Sequence, residues 1–325
     1  MPELPEVETI VRSLRPCILG RKISNIKVFL PKIIRWPGNE THAHEEPSAE
    51  HHEGLAAEYE ELIGKTLINI YRLGKNIILQ FSQGQYARIH LKMTGQLLVN
   101  LPGDPLKKHT HVIFSLDRGK SPDGGKSLYG GQSLDRGQSL DGGKSPDGEK
   151  LELRYRDIRQ FGYIQIMTEQ ELAALIEGNS IGPDPLKISF PCFLARLRSK
   201  KGKLKAVLLD QAFLAGLGNI YVDETLYQAG IHPESSPLRL SDEKILSLHQ
   251  KMQSILLSAI QHKGSSIRDY VESSGEQGHY QDLHQVYGRA GHPCLRCGTG
   301  IEKIRVAGRG TYICPRCQRV KRCEV

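Results

Sequence analysis

Met1-Pro2-Glu3-Leu4-Pro5-Glu6-Val7-Glu8-Thr9-Ile10-Val11-Arg12-Ser13-Leu14 opens the chain. Val7, Ile10, Val11 and Leu14 keep the i, i+3, i+4, i+7 spacing of one helix face. Pro5 suits the first helical position, and Glu6 and Glu8 suit the positive end of the helix dipole. The spacing therefore predicts a helix that starts almost at the N-terminus and serves as a rigid mount for Pro2 and Glu3. Met before a side chain as small as that of Pro is usually removed, which leaves Pro2 as a free secondary amine. An α-amino group titrates about 2–3 pH units below a lysine side chain, so far more of it is the neutral nucleophile at pH 7. Proline's greater basicity narrows that gap without closing it. Attack by a secondary amine on a sugar C1′ gives an iminium with no N–H proton to lose. It stays cationic and draws electrons for eliminations along the sugar. Glu3 stands beside it, able to donate or accept a proton.

The far end of the chain carries a second strong signal. Four of the seven cysteines form Cys294-x2-Cys297 and Cys314-x2-Cys317, with sixteen residues between the pairs. That is the spacing of a tetrathiolate zinc site, two knuckles around one tetrahedral ion. Four protein ligands close the site, so the Zn2+ is structural. Cys17, Cys192 and Cys323 fit no pattern and read as ordinary thiols. From Gly288 onward nine Lys or Arg stand against Glu302 and Glu324, nearly the net +8 of the whole chain. A basic zinc ribbon points to a polyanion, most simply nucleic acid. Arg309 lies between glycines in Gly308-Arg309-Gly310-Thr311, where backbone and guanidinium can both approach a phosphate.

Between the ends, several stretches join these signals. They are Arg72-Leu73-Gly74-Lys75-Asn76, His90-Leu91-Lys92-Met93-Thr94-Gly95 and Lys108-His109-Thr110-His111-Val112. Leu153-Arg154-Tyr155-Arg156-Asp157-Ile158-Arg159-Gln160-Phe161-Gly162 and Ile181-Gly182-Pro183-Asp184-Pro185-Leu186 follow. Gly216-Leu217-Gly218-Asn219-Ile220-Tyr221, Ile231-His232-Pro233 and Val286-Tyr287-Gly288-Arg289 complete the set. Together they resemble the formamidopyrimidine-DNA glycosylases, bifunctional enzymes of base-excision repair, over nearly the whole chain. The resemblance implies an α+β, multidomain fold: an N-terminal antiparallel β-sandwich with flanking helices, a C-terminal helical helix–two-turn–helix domain, and a zinc ribbon.

It also implies roles. Pro2 is the nucleophile on C1′, and Glu3 protonates the sugar ring oxygen and shuttles protons. Lys75 corresponds to the proton donor of β-elimination. Arg309 corresponds to that of δ-elimination, although an arginine is a poor acid and reads mainly as a phosphate clamp. Met93, Arg159 and Phe161 correspond to the trio that fills the void left by a nucleotide rotated out of the duplex. His90, His109, Arg159, Lys200 and Asn219 match DNA-contacting positions. Residues 265–280 fall where the family carries its damaged-base loop. Gln160 replaces a second Arg common in the family, and Lys92 replaces a usual Gly.

The expected organisation is a β-sandwich catalytic domain at 1–167, a helical DNA-binding domain at 168–287 and a four-cysteine zinc ribbon at 288–325. Short β-type runs at 77–81, 87–91, 96–99, 111–116, 151–155 and 163–167 supply the sandwich. Thr168 and Glu171 read as a capping box ahead of Leu172, Leu175 and Ile176. Ser241 reads as the cap of a long amphipathic helix bearing Ile245, Leu248, Met252, Ile255, Leu256 and Ala259. Two insertions interrupt the plan. Residues 39–61 hold eight Glu, four His and no Lys or Arg, and read as solvated and partly disordered. Residues 117–149 repeat a hexapeptide of the type Asp123-Gly-Gly-Lys-Ser-Leu, too poor in apolar side chains to offset chain entropy. Loop closure grows costlier only slowly with length, so a hairpin tolerates such an insertion.

The implied partner is double-stranded DNA containing oxidised bases or abasic sites, met by a monomer. No stretch reads as a membrane span or a targeting segment, so a cytoplasmic, nucleoid-associated protein is expected. Two alternatives stay open: a sister activity on oxidised pyrimidines, resembling endonuclease VIII, and a non-catalytic DNA-binding protein on the same scaffold. Leu4 and the Arg159/Phe161 pair fit the purine branch better.

Overall fold

Helix α1 (Leu4–Ile18) forms where the apolar spacing puts it. Val7, Ile10, Val11 and Leu14 are all buried. Pro5 sits in its first turn, and the Glu6 carboxylate accepts the Glu3 N–H at 2.7 Å, which satisfies a donor that a helix start leaves open. This computed structural model describes residues 1–35, 59–117, 150–178, 180–267 and 269–319. The two predicted insertions lie outside the described residues except at their margins, 59–61 and Asp117.

Among the described residues nine strands build the sandwich: β1 (Lys22–Val28), β2 (Ile34–Arg35), β3 (Leu67–Leu73), β4 (Asn76–Phe81), β5 (Gln85–His90), β6 (Gly95–Asn100), β7 (Thr110–Asp117), β8 (Leu151–Asp157) and β9 (Tyr163–Thr168). One sheet runs β1-β7-β8-β6 and the other β2-β9-β5-β4-β3. All pairings are antiparallel except that of β2 with β9, a parallel edge pair. The six runs expected from sequence are β4 to β9. Strands β1 and β3 escaped a period-2 reading because each carries a register shift, at Ile23/Asn25 and at Leu67/Asn69. The shift brings residues three apart to the same face, so Ile23 with Ile26 and Leu67 with Ile70 are buried together.

The helical part holds α2 (Glu169–Glu177), α3 (Phe190–Arg198), α4 (Leu204–Leu209), α5 (Asn219–Gln228) and α6 (Asp242–Gln261). The Thr168/Glu171 capping box is formed in both directions. Of the expected α2 face, Leu172 is buried, but Ile176 is exposed. This short helix lays only Leu172 and the edge of Leu175 on Ile78, Tyr86 and Met167. Ser241 caps α6 by accepting from Lys244 N–H, and all six of its predicted apolar positions are buried. No helix among the described residues is long and apolar enough to cross a membrane.

Helix α1 belongs to two cores at once. Val7, Ile10, Val11, Leu14 and Ile18 pack into the sandwich, whereas Leu4 packs with α3 to α6. The Leu4 N–H also donates to Gly216 O at 2.9 Å. A second joint is Arg72, whose side chain is almost wholly buried and reaches Glu8 at 2.9 Å and Asp184 at 2.6 Å. It thus ties the end of β3 to α1 and to the Gly-Pro-Asp-Pro loop ahead of α3. The C-terminal ribbon, β10 (Glu302–Val306) paired with β11 (Arg309–Ile313), is stapled on by Glu224, which accepts the N–H groups of Gln285, Val286 and Tyr287. Arg72→Ala leaves two carboxylates facing a buried gap and is expected to cost about 3 kcal/mol. Urea unfolding of the purified variant measures this, and an unchanged midpoint would rule out the joint.

Candidate active site

Two glycines decide where Glu3 sits. At Gly216 (φ +116) a Cβ would lie 2.9 Å from Leu4 Cβ, and at Gly218 it would lie 2.2 Å from Glu3 Cδ. Any side chain at 218 would expel the carboxylate. With glycine there, Glu3 accepts the Ile220 N–H at 3.0 Å and the Tyr221 N–H at 3.4 Å. These are the unpaired donors of the α5 N-terminus, where an anion is favoured. Pro2, next in the chain, is buried.

Glu6 lies beneath, accepting from the Tyr221 hydroxyl at 2.5 Å and the Ser265 N–H at 2.8 Å. Burial, reinforced by the Glu3 charge, raises the Glu6 pKa. The same carboxyl therefore links the helix under Pro2 to the first residue of the 265–280 loop.

Lys75 occupies the two-residue turn between β3 and β4, after Gly74 (φ +60). A Cβ on Gly74 would meet Ala215 Cβ at 3.0 Å, so this hairpin tip abuts the loop that carries Gly216 and Gly218. Lys75 is buried. Burial lowers its pKa, the Glu3 and Glu6 charges oppose that, and Arg309 adds to it. An ammonium so destabilised gives up its proton more readily than an exposed lysine.

Arg309 is exposed at the first position of β11. The turn before it is Ala307-Gly308, both at positive φ (49° and 75°), the left-handed pair of a type I′ hairpin. The strand behind Arg309 is pinned from below. Asn219 Nδ2 donates to Gly310 O at 2.9 Å. Lys205, fully buried, pairs with Asp223 at 2.6 Å and donates to Thr311 Oγ1 at 2.7 Å, and Asp223 accepts the Tyr312 N–H at 3.0 Å. Pro2, Glu3, Lys75, Asn219 and Arg309 are thus brought to one place by four separate parts of the chain.

Met93, Arg159 and Phe161 are all exposed, and the Arg159 guanidinium lies 4.7 Å from the centre of the Phe161 ring. They stand on two loops, β5–β6 and β8–β9, joined by the fully buried Asp157. Its carboxylate accepts from the Thr94 hydroxyl, from Gly162 N–H at 2.8 Å and from Arg159 N–H at 3.2 Å. Its backbone N–H donates to His109 O at 3.0 Å, which fixes the half-buried His109 (φ +69) beside the same loops. Gln160 takes the left-handed conformation at the loop tip (φ +56). Lys200, on the α3–α4 connection, pairs with Asp210 at 3.5 Å. No hydrogen bond or ion pair among the described residues joins it to Lys75 or Arg309.

Sequence reading missed Asp157, the Lys205–Asp223 pair and the Glu6–Tyr221–Ser265 contacts. A lysine inside the apolar run Leu204–Leu209, and the adjacent acids Asp223 and Glu224 between apolar residues of α5, were the available signals for the pair. Asp157 ahead of a turn looks like ordinary turn chemistry.

In the ribbon the four thiol sulfurs all lie within 4.8 Å of one another. Cys294 and Cys317 are 3.9 Å apart, and Cys297 and Cys314 are 3.5 Å apart. Ligands ~2.3 Å from a tetrahedral zinc are separated by ~3.8 Å, so the residues fit one structural zinc ion. The Tyr227 hydroxyl lies 3.1 Å from Cys294 Sγ and supports the cluster from α5.

Three family models match this chain. They are the formamidopyrimidine-DNA glycosylase N-terminal domain at residues 1–132, the corresponding H2TH domain at 181–271 and the zinc finger found in FPG and IleRS at 291–320. Fold, site and matches together define the class: a helix–two-turn–helix DNA glycosylase with a zinc finger. Among curated relatives, the formamidopyrimidine-DNA glycosylase of Geobacillus kaustophilus is 41% identical over 98% of this chain and all of its own length. That of Pelotomaculum thermopropionicum is 36% identical over 99% of this chain and all of its own. The chain belongs to the formamidopyrimidine-DNA glycosylase family. Its structure is similar to that of Lactococcus lactis Fpg in complex with DNA containing an abasic site, with TM-score 0.77 and 33% identity over 98% of this chain and 100% of that one. It is likewise similar to Lactococcus lactis Fpg with Fapy-dG-containing DNA, at TM-score 0.75 and the same identity and coverage.

Two outcomes follow from this geometry. Asp157→Ala strands the buried Thr94 hydroxyl and the Gly162 N–H, and is expected to lower stability by about 2–4 kcal/mol. It should weaken binding to an abasic-site duplex more than binding to intact duplex, as anisotropy titrations will show. Removing zinc with a chelator is expected to unfold the ribbon and weaken DNA affinity, while far-UV circular dichroism of the rest persists. Unchanged affinity after verified metal loss would exclude the ribbon as a DNA clamp.

Proposed function

We infer that this chain is a base-excision repair DNA glycosylase with AP lyase activity, acting on oxidised purines such as 8-oxoguanine and formamidopyrimidines in double-stranded DNA. Family membership across the chain supports the activity. The observation that carries the residue assignment is the Glu3 carboxylate held on the α5 N-terminus beside Pro2, with Lys75 and Arg309 facing the same point. The reading divides the chain into 1–167 for catalysis, 168–287 for the helical DNA grip and 288–325 for the ribbon.

The chemistry then runs as follows. The Pro2 nitrogen, freed of Met1, forms a bond to C1′ of a nucleotide rotated out of the stack; the bond from C1′ to the base breaks with its electron pair going to the base, which departs with the amine's N–H proton. Glu3 protonates the ring oxygen as the sugar opens, and the nitrogen lone pair completes the iminium. Loss of a C2′ proton expels the 3′ phosphate, and a second elimination expels the 5′ phosphate. Lys75 supplies a proton to the first departure, and its lowered pKa suits that step. Arg309 holds the charge of the second leaving group. Met93, Arg159 and Phe161 fill the vacated stack, while His90, His109, Lys200 and Asn219 contact DNA. Its place of action is then cytoplasmic DNA, at the nucleoid.

Borohydride reduction tests the covalent step. Untagged protein incubated with an 8-oxoguanine duplex and borohydride is expected to give a covalent protein–DNA adduct. Protein with an N-terminal extension, in which Pro2 nitrogen is a peptide nitrogen, is expected to give none while still binding the lesion. Robust trapping by the extended protein would remove Pro2 as the nucleophile. Faster cleavage of a thymine-glycol duplex would move the substrate to oxidised pyrimidines.

A further inference from the structure

Glu6 is one end of a buried row of hydrogen bonds that the catalytic steps above do not use. Its Oε1 accepts the Tyr221 hydroxyl at 2.5 Å and the Ser265 N–H at 2.8 Å. The Ser265 hydroxyl lies 3.3 Å from Tyr221 Oη and 3.0 Å from His284 Nε2. Ser265 and His284 are both buried. Tyr221 commits its only hydroxyl proton to Glu6, so His284 Nε2 is the nearer acceptor for the Ser265 proton. Burial pushes the His284 pKa down to about 4, against a Tyr287 backbone hydrogen bond and the Asp282 charge. At neutral pH the ring is therefore uncharged. It donates to the Tyr287 backbone and keeps Nε2 as an acceptor. The Tyr280 and Tyr287 rings stand edge-on to it, each centre 5.7 Å away, and hold its plane.

Ser265 begins the 265–280 loop, and the row meets that loop at its neck. Tyr280 N–H donates to Gly264 O at 2.9 Å, Gly278 N–H to Ser266 Oγ at 2.8 Å, and Ser266 N–H to Gln281 Oε1 at 2.9 Å. The two ends of the loop are thus closed on each other where Ser265 reaches Glu6. The neck has no slack. A Cβ on Gly278 would lie 2.3 Å from Gly264 O, and one on Gly264 would lie 2.8 Å from Glu6 Oε1. Any turn of Ser265 therefore draws its N–H off the Glu6 carboxyl, and the His284 ring is what opposes that turn.

We propose that His284 is a positioning residue for base excision: by accepting the Ser265 hydroxyl it holds the loop neck with the Ser265 N–H seated on Glu6, and so aligns the loop that faces the damaged base with the helix that carries Pro2. The proposal rests on the glycosylase reading above. An abasic site has no base for the loop to face. His284 therefore matters to base release and much less to cleavage of a site already abasic.

The test compares two single-turnover rates: release of 8-oxoguanine from a duplex, and strand cleavage of a duplex that already holds an abasic site. Wild type is measured beside His284→Leu, His284→Gln, Ser265→Ala and the Ser265→Ala/His284→Leu double variant, with circular dichroism to confirm folding. His284→Leu takes away the acceptor of the Ser265 hydroxyl, and the ratio of release to cleavage is expected to fall about tenfold, the effect of one unmet buried hydrogen bond. His284→Gln keeps an acceptor and is expected to recover most of the ratio. In the Ser265→Ala background His284→Leu should add little, because the pair is already broken. Equal loss in both rates, a Gln variant as impaired as the Leu variant, or fully additive losses would each overturn the role. If His284→Leu does not fold, Ser265→Ala decides: its ratio should fall too, and an unchanged ratio overturns the proposal. Borohydride trapping by wild type on the abasic duplex runs alongside. No adduct sinks the glycosylase reading, whereas an adduct with an unchanged ratio in every variant sinks only the role of His284.

Discussion

A single carboxylate on a helix end organises the catalytic corner. Glu3 caps the start of α5 through two backbone N–H groups, and by doing so fixes the N-terminus against the helical domain. Residues near a chain end are poorly ordered unless they are tied down. Here the restraint comes from both directions. Leu4 is buried in the helical core and Val7 in the sandwich core, so α1 cannot shift toward one domain without uncovering apolar surface in the other. The close approach that permits this is steric: Gly216 and Gly218 have no room for a Cβ.

Around that corner the charges are balanced unevenly. Glu3 and Glu6 are two buried carboxyls, and burial and their mutual repulsion raise the Glu6 pKa. Lys75 opposes them from the β3–β4 turn, and Arg309 of the ribbon adds a second positive charge beside Lys75. The pairs are not neutralised by direct contact, as Lys205 and Asp223 are at 2.6 Å. The Lys205–Asp223 pair is structural: buried, saturated with hydrogen bonds and aimed at the strand behind Arg309. Lys75 has no acceptor among the described residues, and a buried ammonium without one is the less stable form of that side chain. The difference between the two lysines separates a group that holds a strand from one that can release a proton.

Much of this was legible in the sequence because it is local. The α1 spacing, the Thr168 and Ser241 caps and the cysteine pairs each need only neighbours in the chain. Strands β1 and β3 were not legible because a bulge converts their inward positions from period two to a spacing of three. The one parallel pair, β2 with β9, is two residues long and leaves no pattern. The catalytic candidates were legible as residue types in motifs, but their convergence was not. Glu3 and Ile220 are 217 residues apart, and nothing in either stretch names the other. Asp157 shows the limit most clearly. In sequence it is an acid before a turn, and in three dimensions it orients two loops that each cross from one sheet to the other.

Asp157 also supports the proposed role of exposed Met93, Arg159 and Phe161 as a wedge into DNA. Large side chains on loop tips carry a conformational entropy cost when they are ordered against a ligand. The loops beneath them are already fixed by a buried carboxylate with three donors, and Arg159 is already stacked on Phe161. Most of the ordering is therefore done before DNA arrives, and binding energy can go into separating the bases rather than into arranging the wedge. Rigid mounts under exposed tips are what a protein needs if it is to distort a stiff duplex with a few side chains.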